Sequence, residues 1–191
     1  IRAGFKEFTS GQFVRVALDI DGERVARPYS LVNVPGDDLI EIYFNIVPEG
    51  PLSPKLAELE VNDEIFVTNK ANGFLTVDEV PDCKHLWLFA TGTGVGPFLS
   101  ILNNEAVWQR FEKVVLAYSV RDSSELSYRE LIAAIENSHA DQFIFVPFIT
   151  REEVADAMHH RISDCLEDGT FEKRGGITSN KDDSNVIKNI G

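Results

Sequence analysis

Four consecutive residues, Arg27-Pro28-Tyr29-Ser30, hold three chemistries in one stretch of chain. A guanidinium forks onto a phosphate, a phenol ring lies against a planar heterocycle, and a hydroxyl hydrogen-bonds a ring heteroatom or a polyol. Taken alone, the same residues also describe a solvated arginine beside a core tyrosine. A second cluster, Thr91-Gly92-Thr93-Gly94-Val95-Gly96-Pro97, repeats glycine at every second position between an apolar run and a helical pattern. Glycine permits a tight turn and a close approach of ligand to backbone, and the first turn of the following helix offers unpaired N–H groups to a phosphate. The spacing is not GxGxxG, and no Lys-Ser/Thr follows as in a P-loop, so by itself the loop is either a nucleotide cradle or a tight connection. Glu49-Gly50-Pro51-Leu52-Ser53 offers backbone amides and a hydroxyl at the start of a short helix, a further place for an anion.

Arg121 is expected beyond the second strand of the chain's latter half, Arg151 beyond the third and Arg161 on the last helix. Basic residues near successive carboxyl ends of parallel strands would focus an anionic ligand, although each one singly also reads as a solvated side chain. His159 and His160 are adjacent and are expected on a helix, where neighbours point apart, so no metal site is expected. Cys83 and Cys165 form neither a disulfide framework nor a metal cluster and read as small buried hydrophobes, which fits a reducing, cytoplasmic setting.

The elements that must position these residues fall into two halves. Up to about residue 77 the pattern is β-rich: Gln12–Val16 leading into Leu18–Ile20, the Asp21-Gly22 turn, Val25–Asn33, Leu39–Val47 and Glu64–Thr68. Short strands between turns predict a small antiparallel barrel or sandwich. Ser53–Leu59 predicts one short helix, with Ser53 as its cap and Pro54 in its first turn. After the polar joint Asp78–Asp82, strands and helices alternate: strand His85–Ala90, helix Pro97–Trp108, strand Val114–Tyr118, helix Tyr128–Ser138, strand Phe143–Val146 and a last helix over Glu153–Glu167 ended by Asp168-Gly169. Val186-Ile187 begins one more expected strand. Apolar strands alternating with helices predict a doubly wound parallel sheet.

The chain has 191 residues with a formal net charge of −13, which opposes nonspecific binding to nucleic acid or anionic lipid. No segment has the roughly 18 apolar residues of a membrane span, so membrane insertion is not expected. A monomer is expected. The start Ile1-Arg2-Ala3-Gly4-Phe5 lacks an initiating methionine and the layout of a signal peptide, and reads as the interior of a longer chain.

In order along the chain, Arg27-Pro28-Tyr29-Ser30, Gly50-Pro51-Leu52-Ser53, Gly92-Thr93-Gly94-Val95-Gly96-Pro97 and Glu125-Leu126-Ser127-Tyr128 resemble the flavin loops, nicotinamide-side loop and acidic-Leu-x-Tyr element of bacterial ferredoxin/flavodoxin–NADP reductases. The resemblance implies an FAD-binding β-barrel over 1–77, its first strand absent, and an NADP-binding α/β domain over 82–191. It further implies an enzyme that moves hydride between NADPH and FAD and exchanges single electrons with ferredoxin or flavodoxin. In that frame Arg27 meets the FAD pyrophosphate, Pro28 is a further cofactor-binding position, Tyr29 packs on the isoalloxazine, and Ser30 hydrogen-bonds near its reactive edge. Tyr43, Phe44, Asn45 and Ile46 line the flavin, Pro51, Leu52 and Ser53 hold its phosphates, and Thr93 comes near the ring. Tyr29, Ser30 and Thr93 are the implied catalytic positions. Val120, Arg121, Thr150, Arg151 and Arg161 align with positions that grip NADP, the arginines around its 2′-phosphate. The family's Cys-Gly-x-Pro-like turn after a late strand has no counterpart in Val186–Gly191, and the family's C-terminal tail is likewise not expected in this chain. The same motifs also suit a stand-alone NAD(P)H-flavin oxidoreductase, or a noncatalytic binding module on a reductase scaffold.

Overall fold

The computed structural model describes residues 1, 4, 7–175 and 187–189; the expectations for Val186 and for the final residues Ile190 and Gly191 fall outside them. Two compact units emerge: Ile1–Glu79 together with Gly96–Ile101, and Val80–Val95 together with Leu102–Gly191.

The first unit carries a three-stranded antiparallel sheet in the order β2-β1-β3. Strands β1 (Phe13–Ile20) and β2 (Glu23–Ser30) form the expected hairpin, with Asp21 and Gly22 at positive φ in its turn. Strand β3 is only Phe66–Val67. Val14, Val16, Leu31, Ile40, Leu52 and Ala71 form the centre of the core. Two expectations fail here. Strand β2 stops at Ser30, and Leu39–Val47 is not a strand; a single bridge, Leu31 to Ile42, joins the two segments. The reason is Asn33, whose Oδ1 accepts from the Glu41 N–H at 2.7 Å and whose Nδ2 donates to the Leu39 carbonyl at 3.0 Å. A side chain thus replaces ladder rungs, and the chain from Tyr43 to Val47 runs irregularly.

The short helix α1 spans Ser53–Ala57, but its N-cap is Leu52 and not Ser53. The Ser53 hydroxyl instead accepts from the Val47 N–H at 2.9 Å. Helix α2 (Gly96–Leu102) packs within the same unit: Ser100 Oγ donates to the Asn33 carbonyl at 2.7 Å, and a Cβ on Gly96 would come within 3.3 Å of the Val32 side chain.

The second unit is a four-stranded parallel sheet in the order β6-β5-β4-β7, from β4 (His85–Thr91), β5 (Lys113–Val120), β6 (Phe143–Ile149) and β7 (Ile187–Asn189). Strands β4, β5 and β6 are apolar because both faces are covered. On one face Trp87, Phe89, Val115, Val146 and Phe148 pack around Phe171.

The helix expected over Pro97–Trp108 is two helices, α2 and α3 (Glu105–Arg110). Asn104 is extended and caps α3, its Oδ1 accepting from the Ala106 N–H at 3.1 Å, while Trp108 Nε1 donates to the Leu102 carbonyl at 2.9 Å. Helix α4 covers Arg129–Ser138. The helix expected over Glu153–Glu167 is also revised: only α5 (Ile162–Glu167) is helical there, followed by α6 (Thr170–Gly175). Asp156 at φ 66° breaks the turn, and Met158 instead forms a parallel bridge with Phe148 of β6. His159 and His160 therefore precede the helix, and Arg161 is its N-cap. Among the described residues no helix is long and apolar enough to cross a membrane.

Candidate functional site

In the first unit, the antiparallel register places Tyr29 opposite Val14 and Arg27 opposite Val16, both valines fully buried. Cross-strand partners share a face, so Arg27 and Tyr29 project to one side of β2 and Pro28 and Ser30 to the other. β2 lies at the edge of the sheet, where a proline is tolerated. The Tyr29 ring is half-buried and meets Phe44 edge-on at 5.8 Å. Burial raises its phenol above the ordinary value, with the Arg27 charge acting the other way. The exposed Arg27 guanidinium donates to the Ala26 carbonyl at 2.8 Å.

The segment carrying Tyr43, Phe44, Asn45 and Ile46 thus reaches Tyr29 through Phe44, and one residue past Ile46 it reaches the Gly50–Ser53 turn through the Val47–Ser53 bond. The turn is tight. Gly50 N–H donates to the Val47 carbonyl at 2.8 Å, and a Cβ on Gly50 would meet that oxygen at 3.0 Å. Pro51 is exposed, whereas Leu52 is only 1% exposed and belongs to the core.

In the second unit, the strand order reverses between β4 and β7, and the glycine loop leaves the carboxyl end of β4 at that reversal, the place where open α/β sheets bind ligands. Gly92–Val95 forms a 3-10 turn with Thr93 half-buried. A Cβ on Gly92 or Gly94 would meet no atom within 4 Å, so the backbone there is open to close approach.

The loops after β5 and β6 are zipped together. Thr150 N–H donates to the Val120 carbonyl at 3.1 Å and Arg151 N–H to the Arg121 carbonyl at 2.9 Å, tying the chain together just past the end of the paired strands. Val120 is buried, and its carbonyl accepts from both the N–H and, at 3.3 Å, the hydroxyl of Thr150. Because Met158 runs parallel to Phe148, Arg161, three residues further on, emerges at the same sheet end as Arg151. The guanidiniums of Arg121, Arg151 and Arg161 are exposed and make no ion pair among the described residues, whereas Arg24, Lys55, Lys84 and Arg110 are all paired with carboxylates.

Two conformations at this end are not read from residue type, although Tyr128 itself belongs to the Glu125–Tyr128 motif. Tyr128, the N-cap of α4, is left-handed at φ 60°, an uncommon conformation for an aromatic residue. Glu152 turns its carboxylate onto the Ser123 N–H. Among the described residues no group of three His, Cys, Asp or Glu is arranged to hold a metal. Cys165 is fully buried, and burial together with Asp168 and Asp164 raises its thiol pKa, so it is a packing residue.

Residues 5–71 match the oxidoreductase FAD-binding domain family and residues 88–186 the oxidoreductase NAD-binding domain family. The chain is 41% identical over 187 residues to the flavodoxin/ferredoxin–NADP reductase of Escherichia coli K12, covering 98% of this chain and 75% of that protein. It is 33% identical to the ferredoxin–NADP reductase of Azotobacter vinelandii, over 94% of this chain and 72% of that one. Its fold superposes on the Neisseria gonorrhoeae ferredoxin NADP+ reductase, solved with bound FAD and NADP, with a TM-score of 0.88 and 31% identity over 95% of this chain and 73% of that one. With both domain families in order and relatives aligned across nearly its whole length, the chain belongs to the bacterial ferredoxin/flavodoxin–NADP reductase family.

Proposed function

We propose that the protein moves hydride between NADPH and FAD and exchanges single electrons with ferredoxin or flavodoxin. The observation that carries the coenzyme choice is the pair Arg121–Arg151, joined through the backbone, whose guanidiniums make no ion pair among the described residues of a chain with 31 acidic residues and 18 basic ones. Such a pair suits the extra phosphate of NADPH, and Arg161 at the same sheet end adds a third charge. In this reading residues 1–77 are a flavin-binding β-barrel domain and residues 82–191 a doubly wound NADP-binding domain. The protein works as a cytoplasmic monomer.

The donor set of the first unit fits FAD. Arg27 is exposed and suited to a pyrophosphate, and the Tyr29 ring, rooted against Phe44, offers a planar surface at a sheet edge. Pro28 stiffens the strand between them. Ser30 projects from the opposite face of β2 and hydrogen-bonds near the ring edge, and Asn45 and Ile46 extend the lining. Pro51 borders the phosphates with the buried Leu52 behind it; Ser53 keeps its hydroxyl hydrogen for them while its oxygen holds Val47. Gly92 and Gly94 leave room for a nicotinamide and ribose, with Thr93 between them.

Bound FAD supplies the exchange between two-electron hydride chemistry and single-electron transfer. The side chains orient and exclude water. The raised phenol of Tyr29 stays protonated near neutrality, so Tyr29 is a packing and hydrogen-bonding group and not a base. Thr93 and Ser30 likewise donate hydrogen bonds and give up no proton. The arginines set coenzyme affinity through charge.

The test is acceptor choice. FAD-loaded protein reduced with NADPH is mixed with ferredoxin, flavodoxin or free flavin. Rapid reduction of either protein carrier supports this function; free flavin as the sole productive acceptor replaces it with an NAD(P)H-flavin oxidoreductase.

A further inference from the structure

A carboxylate beside two arginines that await a phosphate should weaken the site, since like charges repel. Glu152 directly follows Arg151 and yet directs its carboxylate elsewhere: it accepts the Ser123 N–H, in the loop two residues beyond Arg121. The last backbone bond between the two loops is Arg151–Arg121, and this side-chain bond ties them together next to it. Within its own loop the Arg121 N–H donates to Glu125 Oε2 at 3.1 Å, closing the turn from inside. On the other side, His159 Nδ1 lies 3.0 Å from the Glu152 carbonyl, tying in the segment that leads to Arg161. All three arginine-bearing segments therefore converge on one residue.

We propose that Glu152 is a positioning residue for coenzyme discrimination, clamping the Arg121, Arg151 and Arg161 segments into a single anion site. The inference rests on the reading of these arginines as the 2′-phosphate site. Hydrogen bonds from the Ser123 side chain and N–H hold the Glu152 carboxyl below its usual range, so the clamp is charged at working pH and the bond is charge-assisted. The cost in repulsion is offset by order: an arginine site whose loops splay loses the shared geometry that binds one phosphate.

The experiment compares Glu152→Ala, Glu152→Gln and Arg151→Ala. Each is measured for calorimetric binding of 2′,5′-ADP and for kcat and KM with NADPH and NADH. Glu152→Ala should weaken 2′,5′-ADP binding and raise the KM for NADPH by about tenfold, the scale of one charge-assisted hydrogen bond, with kcat and the KM for NADH within about twofold. Glu152→Gln keeps an oxygen for Ser123 and should recover binding to within about threefold of the parent. Tighter 2′,5′-ADP binding in both variants would mean the carboxylate only repels and would overturn the proposal. Equal rises for NADPH and NADH would mean a merely structural role and also overturn it. If Arg151→Ala discriminates between the coenzymes but Glu152→Ala does not, the Glu152 proposal alone fails; if Arg151→Ala does not discriminate, the phosphate reading fails with it.

Discussion

Gly11 is the position where a single methyl group should do most damage to the flavin-binding unit. It is buried, at φ +97°, directly before β1. A Cβ there would lie 1.8 Å from the Leu75 carbonyl oxygen and 3.2 Å from Ile101 Cδ1, so backbone must move. A left-handed L-residue costs roughly 1–2 kcal/mol and overpacking typically about 1–3 kcal/mol more, so Gly11→Ala should cost about 2–5 kcal/mol. For a chain of this size that is a fall in Tm of roughly 5–20 °C. Gly22 separates the two causes: its φ is +84°, but a Cβ would meet nothing within 4 Å, so Gly22→Ala carries the strain of about 1–2 kcal/mol without the clash. The displacement should also reach the flavin strand, because the adjacent Gln12 carbonyl accepts the Leu31 N–H at 3.0 Å and Phe13 pairs with Ser30. Thermal unfolding followed by flavin fluorescence reads both effects, with Gly11→Ala releasing FAD at distinctly lower temperature than Gly22→Ala. Equal shifts for the two variants would refute the close-approach argument.

Arg151→Ala and Arg161→Ala should each raise the KM for NADPH much more than that for NADH; steady-state kinetics showing equal effects would remove the 2′-phosphate assignment. Phe171 is fully buried against Trp87, Phe89 and Phe148 at ring separations of 4.9, 5.7 and 5.8 Å, so Phe171→Ala should destabilise the second unit by about 3–5 kcal/mol in denaturant unfolding. Thr170, through its side chain and N–H, holds the Asp168 carboxyl below its ordinary value at the entry to α6. A depressed carboxyl contributes stability that is present above its unfolded value, about pH 4, and lost as pH falls through the folded value. The Tm difference between parent and Asp168→Asn should therefore be largest near neutrality and shrink in acid; a gap that widens below about pH 4 would contradict the sign.

The parts of the fold legible in sequence were those whose signal is local. Asp21-Gly22 between alternating residues fixes the β1–β2 hairpin, and the apolar runs of β4, β5 and β6 need burial on both faces, which only a covered parallel sheet provides. What was not legible depended on distant partners. Leu39–Val47 has strand composition, but Asn33 takes the hydrogen bonds a ladder would use. Asn104 splits one helical pattern by capping a second helix. Ala157 and Met158 fit a helical pattern, yet Met158 bonds along β6, bringing Arg161 to the sheet end.

The site divided in the same way. Arg27, Tyr29, the glycine loop and the three arginines stand out by residue type and order. That Leu52 and Val120 turn their side chains into the core, and that Glu152 reaches across to Ser123, depends on register between loops far apart in sequence.

The central claim is tested most directly by the visible absorbance of anaerobic, FAD-loaded protein as reduced nicotinamide is added. Hydride transfer predicts that NADPH bleaches the flavin band, and does so at lower concentration than NADH. A folded, FAD-loaded protein whose spectrum is unchanged by both coenzymes would contradict the account.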